Sequence, residues 1–134
     1  MAAILIVDDD PTIRAIATEL LRDGDHAVVQ AADGREAIRI LQAAPIDLMV
    51  LDMLMPEMDG LETIMEARQI RPSVRILAMS SGGSMDAGYL LAVARTIGAH
   101  AVLEKPLTAC GFQAAVDQLL GGDAAESAGL RTSV

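Results

Sequence analysis

Short apolar runs and helical periods take turns along this chain. Ala2–Val7 is a continuous apolar run of the kind expected for a strand buried on both faces. Pro11 suits a first helical position, and Ile13, Ile16, Ala17, Leu20 and Leu21 then recur at spacings of three and four until "RDGD" stops the pattern. The cycle repeats: a strand over 27–31, a helix over 34–43 burying Ala37, Ile38 and Leu41, and a strand over 47–51. After "MPEMDG" come a helix over 61–70, a strand over 74–79, a helix from Met85 to Ile97, a strand over 101–103 and a last helix over 109–120. Phe112, Ala115, Val116, Leu119 and Leu120 mark the buried face of that last helix.

Alternation of this kind predicts an α/β fold, a parallel sheet with helices on both faces, because right-handed crossovers return the chain to the same end of the sheet. The C-terminal strand ends then share one edge, where ligands bind in open sheets. Asp8, Asp9 and Asp10 follow the first strand, Asp52 the third, Ser80 and Ser81 the fourth, and Glu104, Lys105 and Pro106 the fifth. Residues remote in sequence are therefore expected in one pocket.

Composition narrows what that pocket can serve. The 134 residues are enough for one domain, and 52% hydrophobic content is too high for a disordered chain. No apolar run reaches the ~18 residues of a membrane helix, and "MAAILIVDDD" lacks the basic start of a signal peptide. A soluble, cytoplasmic protein with no membrane contact is the expectation. Cys110, the single cysteine, is expected to pack as a small apolar residue near a helix start. Nineteen acidic against ten basic residues give a net charge of −9, which disfavours nucleic acid as a partner.

Crowded carboxylates repel, so either some stay protonated or a divalent cation sits among them. Mg2+ suits such a site, since it prefers oxygen ligands and combines one or two carboxylates with phosphate oxygens. No cluster of His and Cys suggests zinc. A carboxylate beside Mg2+, with a lysine and a hydroxyl at hand, has the parts for in-line phosphoryl transfer, and an aspartyl phosphate at Asp52 is the natural product.

"ILIVDDDP", "LDMLMPEMDG", "ILAMSS" and "EKP", in that order and at these separations, resemble the receiver domain of two-component response regulators, the CheY-like family. The resemblance covers residues 3 to 120 and implies a flavodoxin-like (βα)5 three-layer sandwich with strand order 2-1-3-4-5. It implies Asp52 as phosphoacceptor, Asp8 and Asp9 as the Mg2+-binding acidic pair with the Leu54 backbone carbonyl completing the metal site, Ser80 as the switch hydroxyl, and Lys105 as the phosphoryl contact before a cis Pro106. The partners it implies are a sensor histidine kinase or histidine phosphotransfer protein upstream and a protein target downstream. Its only catalysis would be its own phosphorylation and slow dephosphorylation.

Taken singly, these residues have plainer readings. An Asp run before a helix serves as an N-cap, with Asp10 the best candidate; Asp52 and Asp59-Gly60 suit turns; Ser80 to Gly83 could be a plain loop and Lys105 an exposed lysine. His26 and His100 read as structural or surface residues. A haloacid-dehalogenase-type hydrolase would want a second Asp at Leu54, and a flavin binder would not place "DDDP" at its phosphate loop. A receiver-like scaffold that is never phosphorylated stays open.

Two departures from the family pattern matter. The position three before Lys105 is Val102, where receivers usually carry a switch aromatic, and neither Leu54 nor Gly82 offers a polar group to orient an attacking water. The first leaves the switch to Ser80, Lys105, the loop after Ser80 and the partner; the second predicts slow self-dephosphorylation. The helix from Met85 to Ile97, with Tyr89, Leu90, Leu91 and Val93, is apolar enough to be a docking surface as an alternative to deeper burial. Met53, Met55 and Met58 read mainly as loop packing. Residues 1–120 form the expected receiver and 121–134, small and polar, a flexible tail.

Overall fold

The computed structural model describes residues 2–53, 60–81 and 87–121. Its elements, in chain order, are β1 (Ala2–Val7), α1 (Pro11–Leu20), β2 (His26–Ala31), α2 (Gly34–Ala43), β3 (Leu48–Asp52), α3 (Gly60–Ile70), β4 (Arg75–Ser81), α4 (Ala87–Ile97), β5 (Ala101–Lys105) and α5 (Ala109–Leu120). The strands form one parallel sheet in the order β2-β1-β3-β4-β5. This is the flavodoxin-like fold expected from the sequence.

Each strand feeds both layers because successive side chains point to opposite faces. Ile4 and Ile6 of β1, Leu48 and Val50 of β3 and Leu77 and Met79 of β4 join Ala17, Leu21, Phe112 and Val116 beneath α1 and α5. Leu5, Val7, Met49, Leu51, Ile76 and Ala78 join Ala37, Leu41, Ile64, Ala67 and Ala94 beneath α2, α3 and α4. The central strand β3 is buried along its whole length, which is why its first four residues read as an uninterrupted apolar run that ends on Asp52. Phe112, fully enclosed, contributes about 1.5–3 kcal/mol by leaving water.

Helix starts follow local chemistry. The side chains of Asp10, Asp33 and Thr108 cap α1, α2 and α5 by accepting from the backbone amides of Thr12, Glu36 and Gly111. Pro11 opens α1 as its spacing predicts. Gly60 opens α3 where space is tightest: a Cβ there would stand 2.5 Å from Met53 Cα and 2.8 Å from its sulfur.

Several expectations shift. Ile16 is 41% exposed, because Ala17 and Leu21 face inward and a neighbour turned 100° along the helix points outward. Cys110 is exposed in the first turn of α5 instead of packing as an apolar residue, since Phe112 and Val116 define the inward face. Strands β4 and β5 extend to Ser81 and Lys105, so these polar residues end strands where loops were expected. Asp47 stands before β3, where its Oδ2 accepts from the Ala3 amide. Leu54, Met55, Met58, Gly82 and Met85 lie outside the described residues, as does the expected tail beyond Gly121. Among the described residues no helix is long and apolar enough to cross a membrane.

Candidate functional site

Register collects the polar residues at one edge. The chain passes from β2 across β1 to β3, so the ends of β1 and β3 are neighbours at the reversal of strand order. Val7 pairs with Leu51, which brings Asp8 level with Asp52. Asp52 pairs with Met79, Ser80 with Glu104, and Ser81 with Lys105. Strand alternation gives Asp52 and Lys105 the same side as Val50 and Leu103, whereas Ser80 shares the side of Ala78.

The carboxylate oxygens of Asp8, Asp9 and Asp52 lie within 4.8 Å of one another, with Asp8 and Asp52 buried and Asp9 exposed. Lys105 Nζ donates to Asp8 Oδ2 at 2.8 Å and stands 3.4 Å from Asp52 Oδ1. Burial works against the Lys105 charge, but the hydrogen bond to Asp8 and the negative charges of Asp52 and Asp8 outweigh it, so its pKa rises above the ordinary 10.5. The ammonium is therefore charged throughout the physiological range. The Asp10 amide donates to Asp8 Oδ1 at 2.9 Å, fixing that carboxylate from the other side.

Three carboxylates against this one ammonium leave a formal excess of two negative charges (three minus one). Oxygen donors with that excess suit a hard divalent cation of the Mg2+ kind, and neither His nor Cys contributes an atom to the group. Ser80 is 1% exposed and its hydroxyl has no hydrogen-bond partner among the described residues, an arrangement that costs free energy until an acceptor arrives. Asp8, Asp9, Asp52 and Lys105 thus come together at one edge, and Ser80 lies at the same edge near the end of β4 with its side chain toward the other layer. Leu54 lies outside the described residues.

The surroundings match other expectations. Val102 packs, partly buried, against the layer under α2, α3 and α4 and leaves that position without an aromatic. The Lys105–Pro106 peptide is cis. On α4, Tyr89 is 71% exposed while Ala94 is fully buried, so the helix is neither wholly buried nor wholly free.

Sequence reasoning missed one residue at the site. Arg14 Nη1 donates to the Asp8 carbonyl oxygen at 2.6 Å; its place one turn after the Asp10 cap was the available signal. His100, away from the site just before β5, has the structural role read for it in the sequence: its Nδ1 accepts from the Ile76 amide at 3.0 Å. Burial, then the charges of Arg68 and Arg75, lower its pKa from 6.5.

The family model described as the response regulator receiver domain matches residues 4–117. The chain belongs to that family.

Receivers of this family serve two-component signalling, and that general role holds for this chain. It is 32% identical over 117 residues to sporulation initiation phosphotransferase F of Bacillus subtilis, covering 87% of this chain and 92% of that protein. It is also 32% identical over 120 residues to transcriptional regulatory protein GlrR of Escherichia coli, covering 89% of this chain. The chain spans only 26% of that regulator's length. Among solved structures, chemotaxis protein CheY4 of Vibrio cholerae superposes with a TM-score of 0.79 at 30% identity, covering 90% of this chain and 99% of that one. A receiver domain protein from Clostridium thermocellum gives 0.81 at 28% identity, with 92% and 98% covered.

Proposed function

We propose that this receiver accepts a phosphoryl group on Asp52 from a histidine kinase or a histidine phosphotransfer protein, and that Mg2+ bound by Asp8, Asp9 and Asp52 assists. The observation that carries this reading is Lys105 bridging the buried carboxylates of Asp8 and Asp52. The cation, when bound, supplies charge neutralisation for an approaching phosphoryl group. An Asp52 carboxylate oxygen forms the new bond to phosphorus as the P–N bond of the donor's phosphohistidine breaks. The bonding pair leaves with the imidazole nitrogen, which takes up a proton. Lys105 stands where its ammonium can meet one phosphoryl oxygen, and the Ser80 hydroxyl gains the acceptor it lacks.

That last gain is the chain's own contribution to a change of state, since Val102 supplies no rotating aromatic. Leu54 and Gly82 offer nothing to orient a hydrolytic water, so the phosphoryl group is long-lived. Output then passes by protein binding, with α4 and its exposed Tyr89 as the docking element, or by onward transfer to a histidine. Nucleic acid is an unsuitable partner for a chain of net charge −9.

Incubation with acetyl phosphate and Mg2+ followed by intact-mass measurement tests the reading. A gain of about 80 Da in the parent, absent in Asp52→Asn and abolished by chelation, is the expected result. No gain in the parent would instead favour a scaffold that acts by binding without phosphorylation.

A further inference from the structure

The Asp8 carbonyl belongs to the peptide that joins the two acidic residues at the end of β1. Peptide planarity couples the direction of that oxygen to the orientation of Asp9, the exposed member of the carboxylate group. The guanidinium that holds this oxygen is itself braced. Arg14 Nε donates to Gln30 Oε1 at 3.1 Å, Gln30 Nε2 donates to Thr18 Oγ1 at 3.1 Å, and Thr18 Oγ1 donates to the Arg14 carbonyl at 2.8 Å. Gln30 sits on β2 opposite Ile6, and the Asp8 amide donates to Ala31 of the same strand at 3.2 Å. A closed chain of hydrogen bonds thus runs from α1 through β2 to the peptide between Asp8 and Asp9. Guanidinium suits this place because its planar fork serves two partners at once.

We propose that Arg14 is a positioning residue for divalent-cation binding: braced by Gln30 and Thr18, it pins the Asp8 carbonyl so that Asp8 and Asp9 face one cation. The proposal rests on the Mg2+ reading of the acidic site given above. Charge and positioning make opposite demands here. A positive group beside an acidic site repels a cation, so by charge alone Arg14→Gln tightens Mg2+ binding; by positioning it weakens it.

Isothermal titration of the full chain with MgCl2 decides the sign, beside thermal unfolding in EDTA. Arg14→Gln is expected to weaken Mg2+ binding by about tenfold with little change in the EDTA unfolding temperature, an outcome that general loosening of the fold does not produce. Gln30→Ala keeps the Arg14 charge and removes its brace, and is expected to weaken binding by a smaller factor than Arg14→Gln. It also keeps the question decidable should Arg14→Gln fail to fold. Unchanged or tighter binding in Arg14→Gln, or unchanged binding in Gln30→Ala when only that variant folds, overturns the role of Arg14. A parent that binds no Mg2+ overturns the site reading itself and the proposal with it, which separates the two failures.

Discussion

Replacing Lys105 by methionine keeps the apolar stem and removes the charge that Asp8 and Asp52 share. The two contacts, at 2.8 and 3.4 Å, each carry about 5–6 kcal/mol of Coulomb attraction at an effective dielectric near 20. Most of that offsets the cost of taking the three groups out of water. What the variant exposes is the other half of the balance, a fully buried Asp8 carboxylate without its counter-charge. Removing one member of a buried pair costs about 3–5 kcal/mol. The lower end applies, about 3 kcal/mol, because Asp8 keeps its hydrogen bond from the Asp10 amide and the lysine side chain is 16% exposed. For a domain of this size that lowers the midpoint of thermal unfolding by about 12 °C.

Mg2+ is expected to reverse part of this loss, since a divalent cation among the same carboxylates replaces the missing charge and no longer meets the repulsion of Lys105. If its affinity rises about tenfold, saturating Mg2+ recovers about 1.4 kcal/mol of the deficit. Urea unfolding followed by circular dichroism, in EDTA and in excess MgCl2, measures both quantities. The pH dependence has a fixed sign: a lysine whose folded pKa is raised stabilises fully below its ordinary 10.5, and the contribution is lost as pH rises through the folded value. The deficit should therefore stay level between pH 6 and 9, within the range where Lys105 is charged. A deficit under about 0.5 kcal/mol in EDTA would make Lys105 an ordinary surface lysine, and one indifferent to Mg2+ would refute the shared-charge account.

Two further changes probe the frame around the site. Gly60→Ala drives a Cβ into Met53, whose Cα would lie 2.5 Å away, and is expected to cost about 1–3 kcal/mol in urea unfolding; because Met53 directly follows Asp52, titration calorimetry should also show weaker Mg2+ binding. His100 accepts a hydrogen bond only when neutral and its pKa is lowered, so the stability it contributes is complete above 6.5 and lost as pH falls through the folded value. His100→Asn, which does not titrate, should reduce the drop in urea midpoint between pH 7.5 and 5 by about a few tenths of a molar, and an unchanged drop would assign it to other groups.

Most of the fold was legible because its physical causes are local. Strands buried on both faces must be continuous apolar runs, as β1 and β3 are, and helices with one buried stripe must repeat at three and four, as α5 does. The capping role of Asp10 and the opening of α1 at Pro11 are likewise settled within a few residues. Alternation of these elements was enough to place Asp8, Asp52, Ser80 and Lys105 at one sheet edge before any contact was seen. The strand order itself came from the family resemblance, because alternation alone does not say on which side of β1 the third strand pairs.

What depended on tertiary structure was which polar groups meet. That Lys105 lies between Asp8 and Asp52 follows from a register set across β1, β3, β4 and β5, which no local pattern encodes. The same holds for Arg14, which reads in sequence as one more charge on a helix and in space is the donor to the Asp8 carbonyl, and for His100, whose acceptor role requires β4 beside it. Ile16 and Cys110 show the converse: apolar character marks a residue for burial, but the helix's rotation against the sheet decides whether it is buried. Sequence determined the elements and the edge they share, since periodicity and capping act over a few residues; the sheet register determined the chemistry at that edge, since charges act through distances that only packing sets.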